Sequence, residues 1–384
     1  MSLENKIMKN QAVMVISGYN VRSVVAFCRW ATAHDVNFHI IAQSKEDPIF
    51  LTDYGKRVVF TRVSPSLISE DFRSWVEDLC RQYGYGRVIV LPSTEYLNRF
   101  LLKHRDSIEA KDCILPLVDE SLYGTISDKH SFTKLCQSYG LDIPEEFNCL
   151  PEQFPFVAKP RTYFSANGKQ LVPQLINNQH DLESFRGENK DEYFLQQFVR
   201  GKSLYLLAYL GRNETILFSQ ENLMQQARGG SIILAKKSNF HHEKVAGNYV
   251  AMLRDQKYFG LIMVEVRLDI ANGRYYMIEA NPRLWGPMQF SVDNNVDLFG
   301  AMFRDYGFDI SKTTSSSFTT THYFWSGGIT QQSQPIAYHS YSADEFLKEL
   351  PNIRTQDIFF RSDTLKLFLE ESEMRERHEL FKAN

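Results

Sequence analysis

The sequence predicts an α/β protein: a parallel βαβ unit in its first third, then an α+β region of antiparallel strands. Three observations carry this reading. Short apolar runs alternate with helical patterns as far as Pro92. From about residue 125 the strands come instead in pairs split by polar loops. One such pair, GLIMVEVRLDIANGRYYMIEANPR, has a turn signal, Ala271-Asn272-Gly273, at its centre.

In the first third, AVMVIS at 12–17 reads as a strand and 21–33 has helical spacing. VNFHIIA at 36–42 is a second strand, SEDFRSWVEDLCRQYG a helix ended by glycine, and RVIVLP a third strand. Strands alternating with helices imply a parallel sheet, whose functional groups gather beyond the carboxyl ends of the strands. Ser17-Gly18-Tyr19-Asn20 and Pro92-Ser93-Thr94-Glu95 stand at two such ends. The first is not GxGxxG, which argues against a dinucleotide site. Glu95 reads either as a helix-start acid favoured by the dipole or as a substrate contact.

Further on, SDKHSFTKLCQSYG reads as a helix capped by Asp128 and ended by Gly140. FPFVAKP and QLVPQLI look like paired strands around the polar loop TYFSANGK, and EYFLQQFVRGKSLYLLAYLG is a strand, a loop and a strand. A helix pattern covers 243–257, and Ser/Thr-rich 311–321 reads as a linker. DTLKLFLEESEMRERHELF is a charged amphipathic helix, either docked or a dimer contact.

The 384 residues suffice for two or three domains, and the net charge of -3 argues against nucleic acid or an anionic membrane as the main partner. The five cysteines, Cys28, Cys80, Cys113, Cys136 and Cys149, have no metal or redox spacing and suit a reducing, cytoplasmic setting. No apolar run approaches the roughly 20 residues of a membrane span. His241-His242-Glu243 are adjacent residues whose side chains diverge, so they read as exposed polar groups rather than metal ligands.

The hairpin holds the strongest chemical signal. A three-residue loop ending in a left-handed Gly273 sets Ile270 against Arg274 and Glu265 against Glu279. Val266, Leu268, Tyr276 and Ile278 then face the core, and Asn281 shares the acid face. A two-residue Asn-Gly turn would instead separate the acids onto opposite faces. Like charges roughly 5 Å apart are destabilising. Arg267 and Arg283 could compensate, and so could Mg²⁺, since two carboxylates and an amide oxygen are hard ligands. On this basis Glu279→Gln relieves repulsion in the metal-free protein.

With these residues in view, the chain over roughly 12–305 resembles the ATP-grasp enzymes, in the carbamoyl-phosphate-synthase-like branch that includes carboxylate–amine ligases. IEANPR is similar to the family's metal-binding signature and MVEVRLDIANG to the acid strand before it. The resemblance implies Glu265, Glu279 and Asn281 as Mg²⁺ ligands, with Arg283 on a phosphate or acyl phosphate. DKHSFTKLCQSYGLDIP resembles the family's opening helix, which makes Lys129 a phosphate contact. FVAKP resembles the strand whose lysine, here Lys159, reaches phosphates and adenine. YFLQQFVRG resembles the adenine hinge, around Gln197, Phe198 and Val199. Arg228 stands where such enzymes carry a substrate-side arginine.

The implied organisation is a pre-ATP-grasp domain at 1–122, a lid subdomain at 123–195, a catalytic subdomain at 196–305 and an extension at 306–384. The implied activity is ATP- and Mg²⁺-dependent joining of a carboxylate to an amine. Its rivals are a nucleotide-binding protein without turnover, a carboxylase or a small-molecule kinase; a nicotinamide enzyme is the weakest. Three features depart from the family: TYFSANGK holds a single glycine, the hinge has Gln196-Gln197 in place of an acid, and Gly201-Lys202-Ser203 lacks the acid that holds a ribose.

Overall fold

Gln11–Ile16 (β1) is buried along its whole length because it is the middle strand of a five-stranded parallel sheet. Its neighbours are Phe38–Ala42 (β2), Val58–Thr61 (β3), Arg87–Leu91 (β4) and Cys113–Ile114 (β5), in the order β3-β2-β1-β4-β5. A strand covered on both faces reads as a continuous apolar run. The computed structural model describes residues 10–64, 66–109, 112–185, 190–310, 320–330 and 335–382. The predicted helices are found at Val21–Ala33 and Ser69–Tyr83, the latter ended by Gly84 at φ 71°.

The sheet order turns back between β1 and β4, and a crevice opens at such a switch point. The two segments singled out in the sequence meet there. Asn20 Nδ2 donates to Ser93 O at 3.3 Å, and Ser93 Oγ to Ile16 O at 2.8 Å.

A second, antiparallel sheet comprises Glu146–Phe147 (β6), Phe156–Pro160 (β7), Gln174–Ile176 (β8) and Tyr193–Gln197 (β9), in the order β6-β9-β7-β8. The predicted pairing of FPFVAKP with QLVPQLI is present, Phe156 opposite Ile176. The third sheet holds Gly201–Leu210 (β10), Thr215–Gln225 (β11), Ile232–Lys237 (β12), Gly260–Asp269 (β13), Tyr275–Asn281 (β14), His322–Phe324 (β15) and Ala337–Tyr338 (β16). Its order is β14-β13-β10-β11-β12-β15, with β16 paired to β11.

The chain therefore leaves the second sheet at Gln197 and enters the third at Gly201. Gly201 has φ 141°, and a Cβ there would lie 2.0 Å from Leu268 O, so only glycine fits.

Strand β11 was not read from the sequence. Its centre, Ser219-Gln220-Glu221-Asn222, is polar yet buried. The alternation that marks a half-exposed strand is missing there.

The N-terminal unit is fixed to the rest by an aromatic core. Phe27 and Trp30 of helix Val21–Ala33 pack on Phe299 and Phe303 of helix Leu298–Asp305, with ring centroids 5.3–5.8 Å apart. Such packing makes a Phe27→Ala cavity cost about 3–5 kcal/mol.

The C-terminal segment is integral as well: β15 and β16 complete the third sheet. Arg29 donates two hydrogen bonds to the Asp363 carboxylate, at 2.8 and 2.9 Å, and one to Ile358 O at 2.8 Å. The terminal helix, Leu365–Lys382, is docked through its first turns: Leu367 is buried, and Glu371 accepts from Trp325 Nε1 at 3.1 Å. Most of the expected linker, at 311–319, lies outside the described residues.

Candidate active site

The acids do face each other, but by a different route from the one expected. The hairpin loop has four residues, Ile270–Gly273, closed by Asp269 N–H to Arg274 O at 2.9 Å and Gly273 N–H to Asp269 O at 2.8 Å. That register runs from Leu268 opposite Tyr275 to Val266 opposite Met277. A β-bulge then inserts Ile278 and shifts the pairing by one, so Glu265 lies opposite Glu279. The expected core face is corrected accordingly. Tyr275, Met277 and Ala280, not Tyr276 and Ile278, join Val264, Val266 and Leu268 against the core. The bulge also frees the Ile278 carbonyl, which accepts from Lys159 Nζ at 2.8 Å. Bulges of this kind re-aim groups beside functional sites.

Glu279 is ion-paired to Lys129 and accepts from Asn281 Nδ2 at 2.8 Å. Arg283 Nη2 in turn donates to Asn281 Oδ1 at 3.0 Å. Burial pushes the Glu279 carboxyl up, but Lys129 and Asn281 outweigh it and hold the group well below the usual carboxylate range. Glu265 goes the other way. Burial raises it, Arg267 at 3.5 Å only partly offsets that, and Glu279 adds to the rise. A cation between the two acids would relieve that rise.

Behind Glu265 lies the buried polar run of β11. Ser203 Oγ donates to Glu265 at 3.3 Å, Asn222 Nδ2 to Ser203 at 3.0 Å, and Gln220 Nε2 to Asn222 at 2.7 Å. A second support comes from the C-terminal segment. Arg267 Nη1 donates to His339 Nδ1 at 2.9 Å, so His339 Nε2–H donates to Gln225 Oε1 at 2.8 Å. Burial and Arg267 lower the His339 pKa to about 3, which keeps the ring neutral. No sequence motif marked His339.

From the N-terminal unit, Glu95 is 6% exposed and is held by Tyr123 OH at 2.7 Å, Arg99 Nε at 2.8 Å and Arg283 Nε at 3.6 Å. Arg99 also takes Asp128 at 2.8 Å. Asp128 stands at the expected N-cap position without a side-chain cap bond, because its carboxylate is engaged with Arg99.

Lys159 is 6% exposed, and burial followed by repulsion from Lys129 lowers it to about 8. At the hinge, Gln197 N–H donates to Glu145 O at 2.8 Å and its side chain is exposed, whereas Val199 is buried and Phe198 half-buried. Gln196 is fully buried, and both polar atoms of its amide lack partners. The loop after Lys159 folds into its own hairpin, with Ser165 N–H to Lys169 O at 2.8 Å and Leu171 N–H to Tyr163 O at 3.1 Å. These N–H groups are spent within the loop. Arg228 sits in the turn Ala227–Gly229, and its side chain lies outside the described residues.

Glu279, Asn281 and Arg283 line two cavities. One, about 220 Å³, is shared with Lys129, Pro160 and Leu171. The other, about 630 Å³, is shared with Tyr19, Arg22, Tyr96 and Trp285 at the switch-point crevice. No group of three or more His, Cys, Asp or Glu side chains among the described residues could by itself cage a metal. Two opposed carboxylates and an amide suit Mg²⁺, which takes few protein ligands and completes its shell with phosphate and water. His241 is elsewhere, bonded to Ser219 Oγ at 2.7 Å.

A parallel α/β unit, a small antiparallel sheet bearing a buried lysine, and a larger antiparallel sheet ending in an acidic hairpin define the ATP-grasp fold. The chain has that fold, as the sequence implied. Its relatives are distant, and no family model matches. It is 21% identical over 306 residues to the D-aspartate ligase of Enterococcus faecium, covering 71% of this chain and 67% of that one. Among solved structures it is similar to the L-amino acid ligase of Bacillus licheniformis, with TM-score 0.56, 15% identity and coverage of 79% and 75% of the two chains. The biotin carboxylase domain of Hydrogenobacter thermophilus 2-oxoglutarate carboxylase, in complex with MgADP, ADP and bicarbonate, matches with TM-score 0.55 and 12% identity over 80% and 72%. The Rhizobium etli pyruvate carboxylase matches with TM-score 0.57 and 15% identity over 81% of this chain, which spans only 30% of that one.

Proposed function

We propose that the protein is a cytoplasmic ATP- and Mg²⁺-dependent ligase that joins a carboxylate to an amine, with an amino acid or peptide among its substrates. The observation that carries this is the pairing of buried Glu265 with Glu279, which with Asn281 and Arg283 stands on the wall of two cavities. The named relatives that join amino acids support it.

Glu265, Glu279 and Asn281 would hold Mg²⁺, which when bound would offset charge on the transferring phosphoryl group. Lys129 and Lys159 would receive the phosphates of ATP, and Gln197 to Val199 its base. A carboxylate oxygen of the substrate attacks the γ-phosphorus and ADP leaves, giving an acyl phosphate. The nitrogen of the amine then attacks the acyl carbon, inorganic phosphate departs, and the amine sheds a proton. Arg283 would orient the acyl phosphate, and Arg228 is retained as a substrate-side arginine. Little covalent work falls to the protein, and positioning and electrostatics supply the rate. The divisions near 122 and 305 are kept in this reading, while the one at 195 moves to between Gln197 and Gly201 because β9 runs Tyr193–Gln197. The extension contributes β15, β16 and His339 to the third sheet and its support.

The test is ADP release from MgATP mixed with pools of amino acids and short peptides. Release that needs both a carboxylate and an amine is expected. ATP binding without ADP release in any pool would refute the ligase reading.

A further inference from the structure

Arg22 lies in the first turn of helix Val21–Ala33, at the carboxyl end of the central strand, and its side chain is held from several directions. Its guanidinium carbon is 3.9 Å from the centroid of the Trp325 ring. Nη2 donates to Ser231 Oγ at 2.7 Å, and Nη1 to Ile232 O and Tyr323 OH, both at 3.3 Å. On another side is Gly286, where a Cβ would lie 2.8 Å from the guanidinium. The group is thus pre-positioned by a helix of the N-terminal unit, by β12 and its approach, by the C-terminal segment and by the chain after Arg283.

Every one of these partners is neutral. Among the described residues no carboxylate is in ion-pairing contact with Arg22, whereas Arg267 and Arg283 each have one and Arg99 has two. The guanidinium has five N–H groups, and the three bonds leave two over. A partly buried cation is costly without an opposite charge, and an aromatic face offsets only part of that cost. Arg22 also lines the 630 Å³ cavity that holds Glu279 and Arg283.

We infer that Arg22 is the anchor for a carboxylate of the substrate, namely the α-carboxylate of an amino acid, and not the group that is activated. Glu46, Glu370 and Glu371 share a second cavity of about 430 Å³ with Arg22 but form no ion pair with it. One guanidinium with neutral direct contacts thus matches one negative charge, which favours a carboxylate over a phosphate. Arg283, at the acidic hairpin, and Arg22, at the crevice, then hold two different anionic groups in one cavity. A substrate that is only an amine leaves Arg22 uncompensated. This inference rests on the ligase reading for the identity of the cavity, and its test separates the two.

The experiment is calorimetric titration of the full chain with the common amino acids and, for each binder, the amine made by removing its carboxylate. Wild-type protein binds at least one amino acid about 10- to 100-fold more tightly than its amine, the range expected for a charge-assisted hydrogen bond. Arg22→Gln loses that discrimination and binds both equally weakly. Gly286→Ala loses it too with the charge kept, because the new methyl group displaces the guanidinium. MgATP affinity stays within about 2-fold in both variants, since neither residue is among the nucleotide contacts. Arg22→Gln that keeps the preference, or a wild-type protein that binds no amino acid better than its amine, overturns the assignment. Carboxylate-dependent binding without ADP release from any substrate pair sinks the ligase reading and leaves the anion site standing.

Discussion

Glu265 and Glu279 are direct cross-strand partners in unequal surroundings. Glu279 meets Lys129 and Asn281, and Glu265 meets Arg267 and Ser203. Each of the opposed carboxylates thus has its own cationic partner, which prevails at Glu279 and only partly offsets burial and repulsion at Glu265. The expectation that Glu279→Gln relieves repulsion and stabilises the protein does not carry over to this arrangement. The substitution also strips Lys129 of its partner, so no gain in stability is expected; equilibrium unfolding in urea measures it.

His339 acts on the acid site at a distance. It accepts from Arg267, which faces Glu265. Removing a group that orients a ligand's neighbour typically costs about 10-fold or more in metal affinity. His339→Ala is expected to weaken Mg²⁺-dependent ATP binding by about 10-fold, with far-UV circular dichroism unchanged. An unaltered affinity would show that Arg267 holds its position without His339.

Lys159 gives a pH dependence. Burial and Lys129 hold it at about 8, below the roughly 10.4 of the unfolded chain. Between those values the unfolded chain binds more protons, so this group lets stability rise with pH from 8 upward, and its full cost is present below 8. Phosphates beside Lys159 would restore its charge. ATP binding at a pH just above 8 should therefore take up protons, seen as a binding enthalpy that varies with the buffer's ionisation enthalpy. Lys159→Met should abolish that uptake.

Glu95 ties Arg283 to the N-terminal unit. It belongs to positioning rather than to nucleotide binding. Glu95→Gln should lower kcat about 10- to 100-fold through a misplaced Arg283 while leaving the Kd for MgATP unchanged. A fall in nucleotide affinity of the same size would place its effect elsewhere.

Asp363 anchors the C-terminal segment through Arg29 and Tyr54. Burial raises its carboxyl, but the Arg29 bonds prevail and its pKa is lowered. The stability it contributes is present above the unfolded carboxylate pKa and is lost as pH falls through the lower folded value. Asp363→Ala should cost about 2–3 kcal/mol near neutral pH, measured by urea unfolding, and less in acid.

Much of this site was legible in the sequence because chemistry at a strand end interrupts an apolar run. Glu279, Asn281 and Arg283 stand out after YYMI, and Lys159 stands out within FVAKP. The opposition of Glu265 and Glu279 was reached by a count in which two differences cancelled: a loop one residue longer and a bulge at Ile278. A bulge has no composition of its own, so the core-face assignment of Tyr276 and Ile278 failed where the pairing held. His339, Gln225 and the Ser203–Asn222–Gln220 relay were not legible. They converge from distant strands, and polar residues inside a sheet look like loop until their partners are known.

The central claim is that the acidic hairpin binds the metal that accompanies ATP. The most direct measurement is calorimetric titration of ATP into wild-type protein and Glu279→Gln, each with and without Mg²⁺. The account predicts that Mg²⁺ strengthens ATP binding to wild type and that this increment disappears in Glu279→Gln. An equal Mg²⁺ increment in both proteins would contradict it and place the metal away from the hairpin.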